Sequence, residues 1–294
     1  PAIMLIMGSG CYDACGSLEK EFMGRVLEKG VVLHVRQKRG VRREPATGKM
    51  VVDSPLYEQA DFPHLESDTD EAFEALLRNP RVDAQRVALV AASEGTLLAT
   101  AIGLRHPGIK EMALLSTVVE DFVSLFERQL YTNNPPLFVK EYDLNHDGRL
   151  SVNELTGEVL KANGMSAFSV IDENHDGVVS AEEISGEIRR LAEASLARND
   201  SAFFLNGMGV PVSWVKSAYR QGALGPRILD LTMPVTLHHG IVDTSVSVQP
   251  VHALEETAKD RGRANLRFRY YEFLGHALSK EVIQEVLVDL AGRR

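Results

Sequence analysis

The stretch VALVAASEGTLLATAIGL, residues 87–104, begins as an apolar strand pattern, passes through Ser93 and continues at once as a helix pattern. Residues 91–95, AASEG, fit the pattern small-x-Ser-x-Gly, with Ala91 where glycine is commoner. The pattern is typical of a tight strand-to-helix turn that presents a nucleophile, because small flanking residues let the strand and the helix approach while the turn strains the serine backbone. Ser93 is therefore predicted to be a catalytic nucleophile, with an ordinary helix N-cap serine as the alternative.

Apolar, β-rich runs recur on both sides of this stretch and alternate with amphipathic helical patterns. The runs lie at 2–8, 31–35, 86–92, 111–117, 234–240 and 266–273. Strands that are apolar on both faces and separated by helices predict an α/β fold with a mainly parallel sheet flanked by helices. One helix is expected after Asp68 or Asp70, either of which could cap it. The alternation breaks between about 119 and 228, which predicts an insertion.

Two polar residues follow the later strand candidates. Asp243 lies in the loop after HHG in HHGIVDTSV, residues 238–246, and His276 lies between the last strand and the last helix. The order Ser, Asp, His is expected when the acid and the base come from loops at the carboxyl edge of later strands. Ser93, Asp243 and His276 are thus predicted to form a catalytic triad. The rival histidines lie within strand or helix patterns and are interpreted as packing or surface residues: His238, His239 and His252.

An acyl-transfer site also needs backbone N–H groups that face the developing oxyanion. Glu94 is predicted to supply one N–H group, because it follows the nucleophile directly. The glycine-rich loop MGSGCYDACGS, residues 7–17, is predicted to supply the other through Ser9, Gly10 or Cys11. A glycine-rich turn can also bind phosphate, but its spacing matches neither a P-loop nor G-x-G-x-x-G.

Together, the strands, the serine turn, the acid loop and the histidine resemble the α/β-hydrolase superfamily over residues 1–118 and 229–294. GSGCYD is similar to the oxyanion loop of its esterase and serine-peptidase-like branches, with Met7 in the place usually held by histidine. The first two strands common in this fold are not visible. The resemblance implies hydrolysis of an ester, thioester, amide or lactone through an acyl-enzyme, with no organic cofactor.

Two segments in the middle of the chain carry a different pattern. DLNHDGRLSVNE, residues 143–154, and DENHDGVVSAEE, residues 172–183, both fit D-x-[DN]-x-[DN]-G-x5-E, the calcium loop of an EF-hand. Two Ca²⁺ sites are predicted within a helix pair spanning about 136–196, with Leu150 and Val179 pairing the loops as short strands. The predicted ligands of the first site are Asp143, Asn145, Asp147, Arg149, Ser151 and Glu154, and those of the second are Asp172, Asn174, Asp176, Val178, Ser180 and Glu183.

The position of the EF-hand pair links the two patterns. It lies within the insertion at 119–228, where α/β-hydrolases commonly carry a helical cap over the active site, and calcium is expected to order or regulate that cap. A permanent structural calcium site is the alternative. The apolar stretches 122–131 and 201–215 are candidates for the substrate-facing surface, although most of their residues are expected in the core.

Three functions remain open at this point. The preferred one is a calcium-binding serine hydrolase that cleaves small carboxylic esters or thioesters. The alternatives are a serine peptidase with the same triad and a non-catalytic calcium-binding module on a hydrolase scaffold. Calcium-rich space outside the cytoplasm would keep paired EF-hands filled, and the chain begins without Met, which together favour a periplasmic or secreted location weakly.

The charge pattern bears on possible partners. The net charge is −9, of which residues 143–154 contribute −2 and residues 172–183 contribute −5, so the acidity is local. No basic stripe interleaved with aromatic residues is present, which argues against nucleic-acid binding. The basic run VRQKRGVRR, residues 35–43, is expected to be a solvated loop. No apolar run reaches the roughly 20 residues of a membrane span, Cys11 and Cys15 fit neither a disulfide framework nor a zinc site, and the oligomeric state is not indicated.

Overall fold

The computed structural model describes residues 1–10 and 20–292, and six of its strands form one parallel sheet. The strands are β1 Ala2–Ile6, β2 Val32–Val35, β3 Val41–Arg43, β4 Met50–Val52, β5 Val87–Ala92, β6 Glu111–Leu115, β7 Leu150–Ser151, β8 Val178–Val179, β9 Val235–Gly240 and β10 Leu266–Tyr271. The sheet order is β10-β9-β6-β5-β1-β2, and every neighbouring pair is parallel. This confirms the predicted α/β class, and all six predicted strand runs form the sheet.

Helices cover both faces of the sheet and fill the insertion. They are α1 Lys20–Leu27, α2 Ser54–Tyr57, α3 Phe62–Leu77, α4 Gly95–Arg105, α5 Phe122–Phe126, α6 Asn134–Tyr142, α7 Gly157–Ala162, α8 Phe168–Ile171, α9 Ala181–Arg198, α10 Ala202–Met208, α11 Val212–Ala218, α12 Gly225–Leu229, α13 Gln249–Asp260 and α14 Lys280–Gly292, with a 3-10 turn at Ala84–Arg86 and a π-helix at Glu127–Asn133.

The start of α3 differs from the sequence-based expectation. Asp61 is its N-cap and accepts a hydrogen bond from the backbone N–H of His64 at 3.0 Å. Asp68 and Asp70 therefore lie inside the helix, and the prediction that one of them caps it was wrong. The polar stretch before DEAFEALL continues the helix because its buried residues, such as Leu65 and Thr69, lie on the face that packs on the core.

The sheet is buried on both faces because successive strand residues point to opposite sides. In β1, Met4 enters the larger hydrophobic cluster, which α3, α4 and α13 cover, whereas Ile3 and Leu5 enter a second cluster with α14. Burial on both faces explains why the strands read as continuous apolar runs. The sheet consequently forms a rigid frame whose strand ends and loops can hold polar groups in place.

The insertion between β6 and β9 has a small core of its own. Loops 143–154 and 172–183 are joined by β7 and β8, which pair antiparallel with Leu150 opposite Val179, as the sequence predicted. Both of these side chains are fully buried. Ile188 of α9 packs against this small core and also against the larger cluster, so α9 connects the EF-hand pair to the rest of the protein.

The basic run at 35–43 is solvated only in part: Arg42 and Arg43 are exposed, whereas three other basic residues form ion pairs. Arg36 and Arg39 both pair with Asp68, at 2.8 and 2.7 Å, and Lys38 lies 3.0 Å from the carboxylate of Glu94. The run folds back over α3 and α4 because it neutralises carboxylates that are partly or fully removed from water.

Candidate active site

Ser93 occupies the turn between β5 and α4 with strained backbone geometry. Its φ of 52° lies in the left-handed region, which non-glycine residues rarely adopt. A Cβ on Gly95 would lie 2.3 Å from the carbonyl oxygen of Ile6, and one on Gly8 would lie 3.1 Å from the Cβ of Ser93. Glycine at these two positions therefore lets β1, its following loop and α4 close around the serine. The small residue at 95 belongs to the small-x-Ser-x-Gly pattern, whereas the sequence did not indicate the contact at Gly8.

Of the three residues predicted as a triad, His276 lies within hydrogen-bonding distance of both Ser93 and Asp243. His276 Nε2 lies 3.0 Å from Ser93 Oγ, and His276 Nδ1 lies 2.9 Å from Asp243 Oδ2. With the proton on Nδ1, His276 donates to the carboxylate and can accept the serine proton. This is the geometry required of a general base that activates a hydroxyl nucleophile.

The loops that carry the acid and the base are themselves fixed. The Asp243 side chain is fully buried, and its Oδ1 accepts hydrogen bonds from the backbone N–H groups of Ser245 and Val246, each at 2.8 Å. Ser116 at the end of β6 donates to the carbonyl oxygen of His276 at 2.7 Å. Asp243 is thus held as a hydrogen-bonded carboxylate that orients the imidazole and can stabilise its protonated form.

The predicted oxyanion donors are only partly described. Glu94 directly follows Ser93, at the start of α4, so its backbone N–H belongs to the serine turn. Ser9 and Gly10 follow β1 in the loop that approaches Ser93 at Gly8, and Gly10 has a φ of 99°. Cys11 lies outside the described residues, as does Cys15. The donor roles of Glu94, Ser9, Gly10 and Cys11 remain predictions.

The side chain of Glu94 has a role that the sequence did not suggest. It is only 2% exposed, lies 3.0 Å from Lys38 Nζ and accepts a hydrogen bond from Trp214 Nε1 at 2.8 Å. Removing either donor would leave a buried carboxylate undercompensated, which is costly. Trp214 belongs to α11 of the insertion, so this contact fastens the insertion to the residue beside the nucleophile. Lys38 lies 56 positions before Glu94 in the sequence and Trp214 lies 120 positions after it, so no local sequence pattern could have predicted these contacts.

The aromatic residues proposed to face the substrate are mainly core residues. Trp214 packs against Phe62, Phe122 and Phe126 with ring centroids 5.4 to 5.8 Å apart, and all four side chains are buried. Val123, in contrast, is half exposed. The expectation that most of these two stretches would pack in the core agrees with these contacts.

The other three histidines considered as candidates for the base have partners other than Ser93. His238 Nδ1 is 2.8 Å from the hydroxyl of Tyr271, and His252 packs on the ring of Tyr270 at 4.4 Å. His239 Nε2 is 3.0 Å from the carbonyl oxygen of Val246, and burial lowers its pKa. His239 consequently supports the loop of Asp243 as a neutral side chain.

Both predicted calcium loops have the same internal geometry. Asp143 accepts from the backbone N–H groups of Asp147 and Gly148 at 3.2 and 2.9 Å, and Asp172 accepts from those of Asp176 and Gly177 at 3.1 Å each. The glycines at position 6 have φ values of 81° and 85°, which only glycine adopts readily. Each twelfth-position glutamate accepts from the serine at position 9, at 2.9 and 2.8 Å.

The donor set of the two loops fits a hard divalent cation. Each loop offers carboxylate, amide, hydroxyl and backbone carbonyl oxygens, which Ca²⁺ prefers. Within residues 1–10 and 20–292, however, no three or more His, Cys, Asp or Glu side chains are clustered as a metal site. The carboxylates instead bond to loop N–H groups, and the amides of Asn145 and Asn174 donate to Asp147 and Asp176 at 2.9 and 3.2 Å. The amide oxygens of Asn145 and Asn174 accept hydrogen bonds from the backbone N–H groups of Asp147 and Asp176, at 2.9 and 2.8 Å.

Comparison with known proteins supports the predicted EF-hand pair and, separately, the predicted fold. The EF hand family model matches residues 140–159 and 165–185, which confirms the predicted EF-hand pair. No curated protein sequence matches the chain. Over the described residues, no helix is both long enough and apolar enough to cross a bilayer.

Solved structures share the fold at low sequence identity. An α/β hydrolase, GrgF from Penicillium sp. sh18, is 14% identical with a TM-score of 0.53, covering 100% of this chain and 89% of its own. A Staphylococcus aureus protein of unknown function is 12% identical with a TM-score of 0.53, and the match covers 99% of this chain and 88% of that protein. A puromycin-hydrolyzing peptidase from Mycobacterium tuberculosis is 11% identical with a TM-score of 0.52, and the match covers 100% of this chain and 34% of the peptidase. The chain therefore has the α/β-hydrolase fold, as predicted, with an EF-hand pair in the middle of the chain.

Proposed function

We propose that this protein is a calcium-binding serine hydrolase that cleaves small carboxylic esters or thioesters. The observation that carries the proposal is the continuous hydrogen-bonded series from Asp243 through His276 to Ser93, with contacts of 2.9 and 3.0 Å. The strained backbone of Ser93 supports it, since strain of this kind persists where the surrounding structure holds a functional residue in place.

The proposed reaction has two halves. Ser93 Oγ attacks the acyl carbon while His276 Nε2 takes the serine proton, and the backbone N–H of Glu94 with one from the loop after β1 stabilises the oxyanion. His276 then gives its proton to the departing alcohol or thiol, which leaves an ester on Ser93. Water attacks this ester with His276 again acting as base, and the carboxylic acid is released as Ser93 regains its proton.

The EF-hand pair is proposed to bind Ca²⁺ within a helical cap at 119–228. The ligands would be the carboxylate, amide and hydroxyl side chains of the two loops, with backbone carbonyl oxygens from Arg149 and Val178. When bound, the ion neutralises carboxylates that otherwise repel one another, most strongly in the second loop, which carries five acidic residues. The hydrogen bond between Trp214 and Glu94 supports a cap that packs beside the serine turn.

The first test compares wild type, Ser93→Ala and the control Ser67→Ala, which alters an exposed serine on α3. Hydrolysis of p-nitrophenyl acetate and butyrate should fall in Ser93→Ala by a factor on the order of 10⁴ or more, because the nucleophile is removed. Ser67→Ala should keep the wild-type rate. A fluorophosphonate probe should label wild type and the control but not Ser93→Ala.

The remaining outcomes separate the alternatives. Labelling of Ser93 with cleavage of aminoacyl amides but not aryl esters would favour a serine peptidase. No labelling and no hydrolysis in wild type would contradict the enzyme proposal and favour a non-catalytic calcium-binding module.

A further inference from the structure

The loop of Asp243 is held from the insertion as well as from within. Asn133 Nδ2 donates to the carbonyl oxygen of Thr244 at 2.7 Å, and Gln129 Nε2 donates to the carbonyl oxygen of Ser245. The backbone N–H of Ser245 in turn donates to Asp243 Oδ1. Two amide side chains from the insertion therefore fix the peptide groups that orient the carboxylate. We define residues 243–246 as the acid loop.

Both amides come from the π-helix Glu127–Asn133. They lie four residues apart, so they project from neighbouring positions on one side of the helix. π-helical turns are rare and are often found at functional sites, since the extra residue in the turn redirects side chains. Here the wider turn lets Gln129 and Asn133 reach consecutive carbonyl groups of the acid loop.

The same π-helix is bound to α9, the helix that leaves the second EF-hand loop. Ser185 Oγ donates to the carbonyl oxygen of Tyr131 at 2.7 Å. Arg189 forms two hydrogen bonds with the carboxylate of Glu127, at 2.9 and 2.8 Å, and its guanidinium lies 4.1 Å from the ring centre of Tyr131. The paired geometry and the ring contact make this more specific than a single surface ion pair.

Helix α9 begins inside the calcium loop itself. Ser180 and Glu183 form a capping box at its start, and they also hold positions 9 and 12 of the second loop. Ser185 and Arg189 follow on the same 18-residue helix. A change in the position of Glu183 must therefore move, or release, the first turns of α9 and the side chains that bind the π-helix.

We propose that the π-helix connects the second EF-hand loop to the triad acid, with Gln129 and Asn133 as positioning residues that hold the acid loop when α9 is in its calcium-bound arrangement. The inference rests on the proposed function and specifies its regulation. Loss of calcium loosens the start of α9, the π-helix releases the two carbonyl groups, and Asp243 no longer fixes the imidazole of His276.

The test uses the full chain and the double variant Gln129→Met/Asn133→Leu, which removes both donors at similar side-chain size. Thr132→Val is the matched control, because Thr132 is exposed on the same π-helix and its hydroxyl donates to the carbonyl oxygen of Glu127 within that helix at 3.3 Å. The kcat and KM for a p-nitrophenyl ester and the hydrogen exchange of the Ser245 and Val246 amides are measured with calcium and with chelator.

In wild type and Thr132→Val, chelation should lower kcat about tenfold, within the usual range of coupling between sites, with KM changed less than twofold. Exchange at Ser245 and Val246 should become faster. The double variant should show the low kcat and the fast exchange already with calcium, and chelation should change neither. Ser185→Ala/Arg189→Met, which removes both side chains that bind the π-helix from α9, should reduce the response to chelation below about twofold.

The proposal would be overturned if Gln129→Met/Asn133→Leu and the α9 variant responded to chelation as wild type does. It would also be overturned if hydrogen exchange at Ser245 and Val246 were unchanged in chelated wild type. Failure of the proposed function is distinguishable, because wild type would then either show no hydrolysis and no fluorophosphonate labelling or hydrolyse the ester no faster than Ser93→Ala. The exchange measurement would still show whether the EF-hand pair and the acid loop are connected.

Discussion

His238 is a buried histidine of β9, and its Nδ1 lies 2.8 Å from the hydroxyl of Tyr271 on the adjacent strand β10. Burial, followed by the charge of Arg269, lowers the pKa of His238 from 6.5 to about 4, while Asp289 acts weakly in the opposite direction. The folded state therefore binds fewer protons than the unfolded state between these values. Because the unfolded state binds more protons in this window, the free energy of unfolding must fall as the pH drops from about 6.5 to about 4.

We expect wild type to lose about 2 kcal/mol of stability between about pH 7.5 and about pH 5 through this group alone. His238→Asn, which preserves a partner for the Tyr271 hydroxyl, should lose correspondingly less over the same interval. Urea unfolding at the two pH values measures the difference. His64→Asn, at a half-exposed histidine on α3, is the control substitution. Equal pH dependence in His238→Asn and wild type would rule out this source.

At the residue level, the three side chains that the fold brings together could be predicted from the sequence, but the contacts that hold the neighbouring residues in place could not. Ser93, Asp243 and His276 could be found because each follows a strand and their order along the chain is informative. The support of Glu94 by Lys38 and Trp214 could not be found, since it depends on side chains that meet only after the sheet and the insertion have packed. The basic run was misinterpreted in part for the same reason.

Among the elements, the end of β9 is the point where the loops of the acid and the base meet. A Cβ on Gly240 would lie 2.1 Å from the carbonyl oxygen of Leu274 and 2.6 Å from that of Gly275. These contacts are with backbone atoms, which cannot rotate away as a flexible side chain could. Glycine at 240 is therefore required for the close approach of Asp243 to His276.

Gly240→Ala should lower stability by about 1–3 kcal/mol, the usual cost of overpacking. It should also lower kcat, because the displaced backbone carries the residues before His276. Gly222→Ala is the control, since nothing lies within 4 Å of its added Cβ, and it should behave as wild type. Thermal unfolding and ester hydrolysis of the two variants give the answer, and a fully active, equally stable Gly240→Ala would refute the steric argument.

The elements also show where sequence patterns reach their limit. Strand positions were predictable because burial on both faces leaves a continuous apolar run, and the EF-hand loops because their ligand spacing is fixed. The start of α3 could not be predicted, because the polar residues before its apolar pattern show no clear periodicity. The π-helix could not be predicted either, because an extra residue in a helical turn interrupts the periodicity. Their positions are set by packing against α4 and α9.

For the whole molecule, the EF-hand pair is a small core attached to a larger one. Its buried residues include Leu150 and Val179, and Ile188 packs on both cores. A ligand that binds only the folded loops stabilises them in proportion to the logarithm of its concentration. At about 100 times its dissociation constant, calcium should contribute about 2.7 kcal/mol at each of the two predicted sites.

Calcium should accordingly raise the melting temperature by roughly 5–10 °C for each site that it fills. Glu183→Gln, which replaces the twelfth-position carboxylate, should lose much of this increase. Glu182→Gln removes the same charge from the adjacent position, which is not a predicted ligand, and should retain it. Scanning calorimetry with calcium and with chelator provides the comparison. If both variants respond to calcium as wild type does, the second loop does not bind the ion.

The chain leaves the sheet at β6 and returns to it at β9, and these two strands are hydrogen-bonded neighbours. Everything between them, including both EF-hand loops, is added without exchanging a single strand partner. Replacing this one segment by that of another protein with the same fold would keep every strand partner of the sheet. Under the proposed control by calcium, such an exchange would change the controlling ligand while the residues of the serine turn, outside the segment, stay the same.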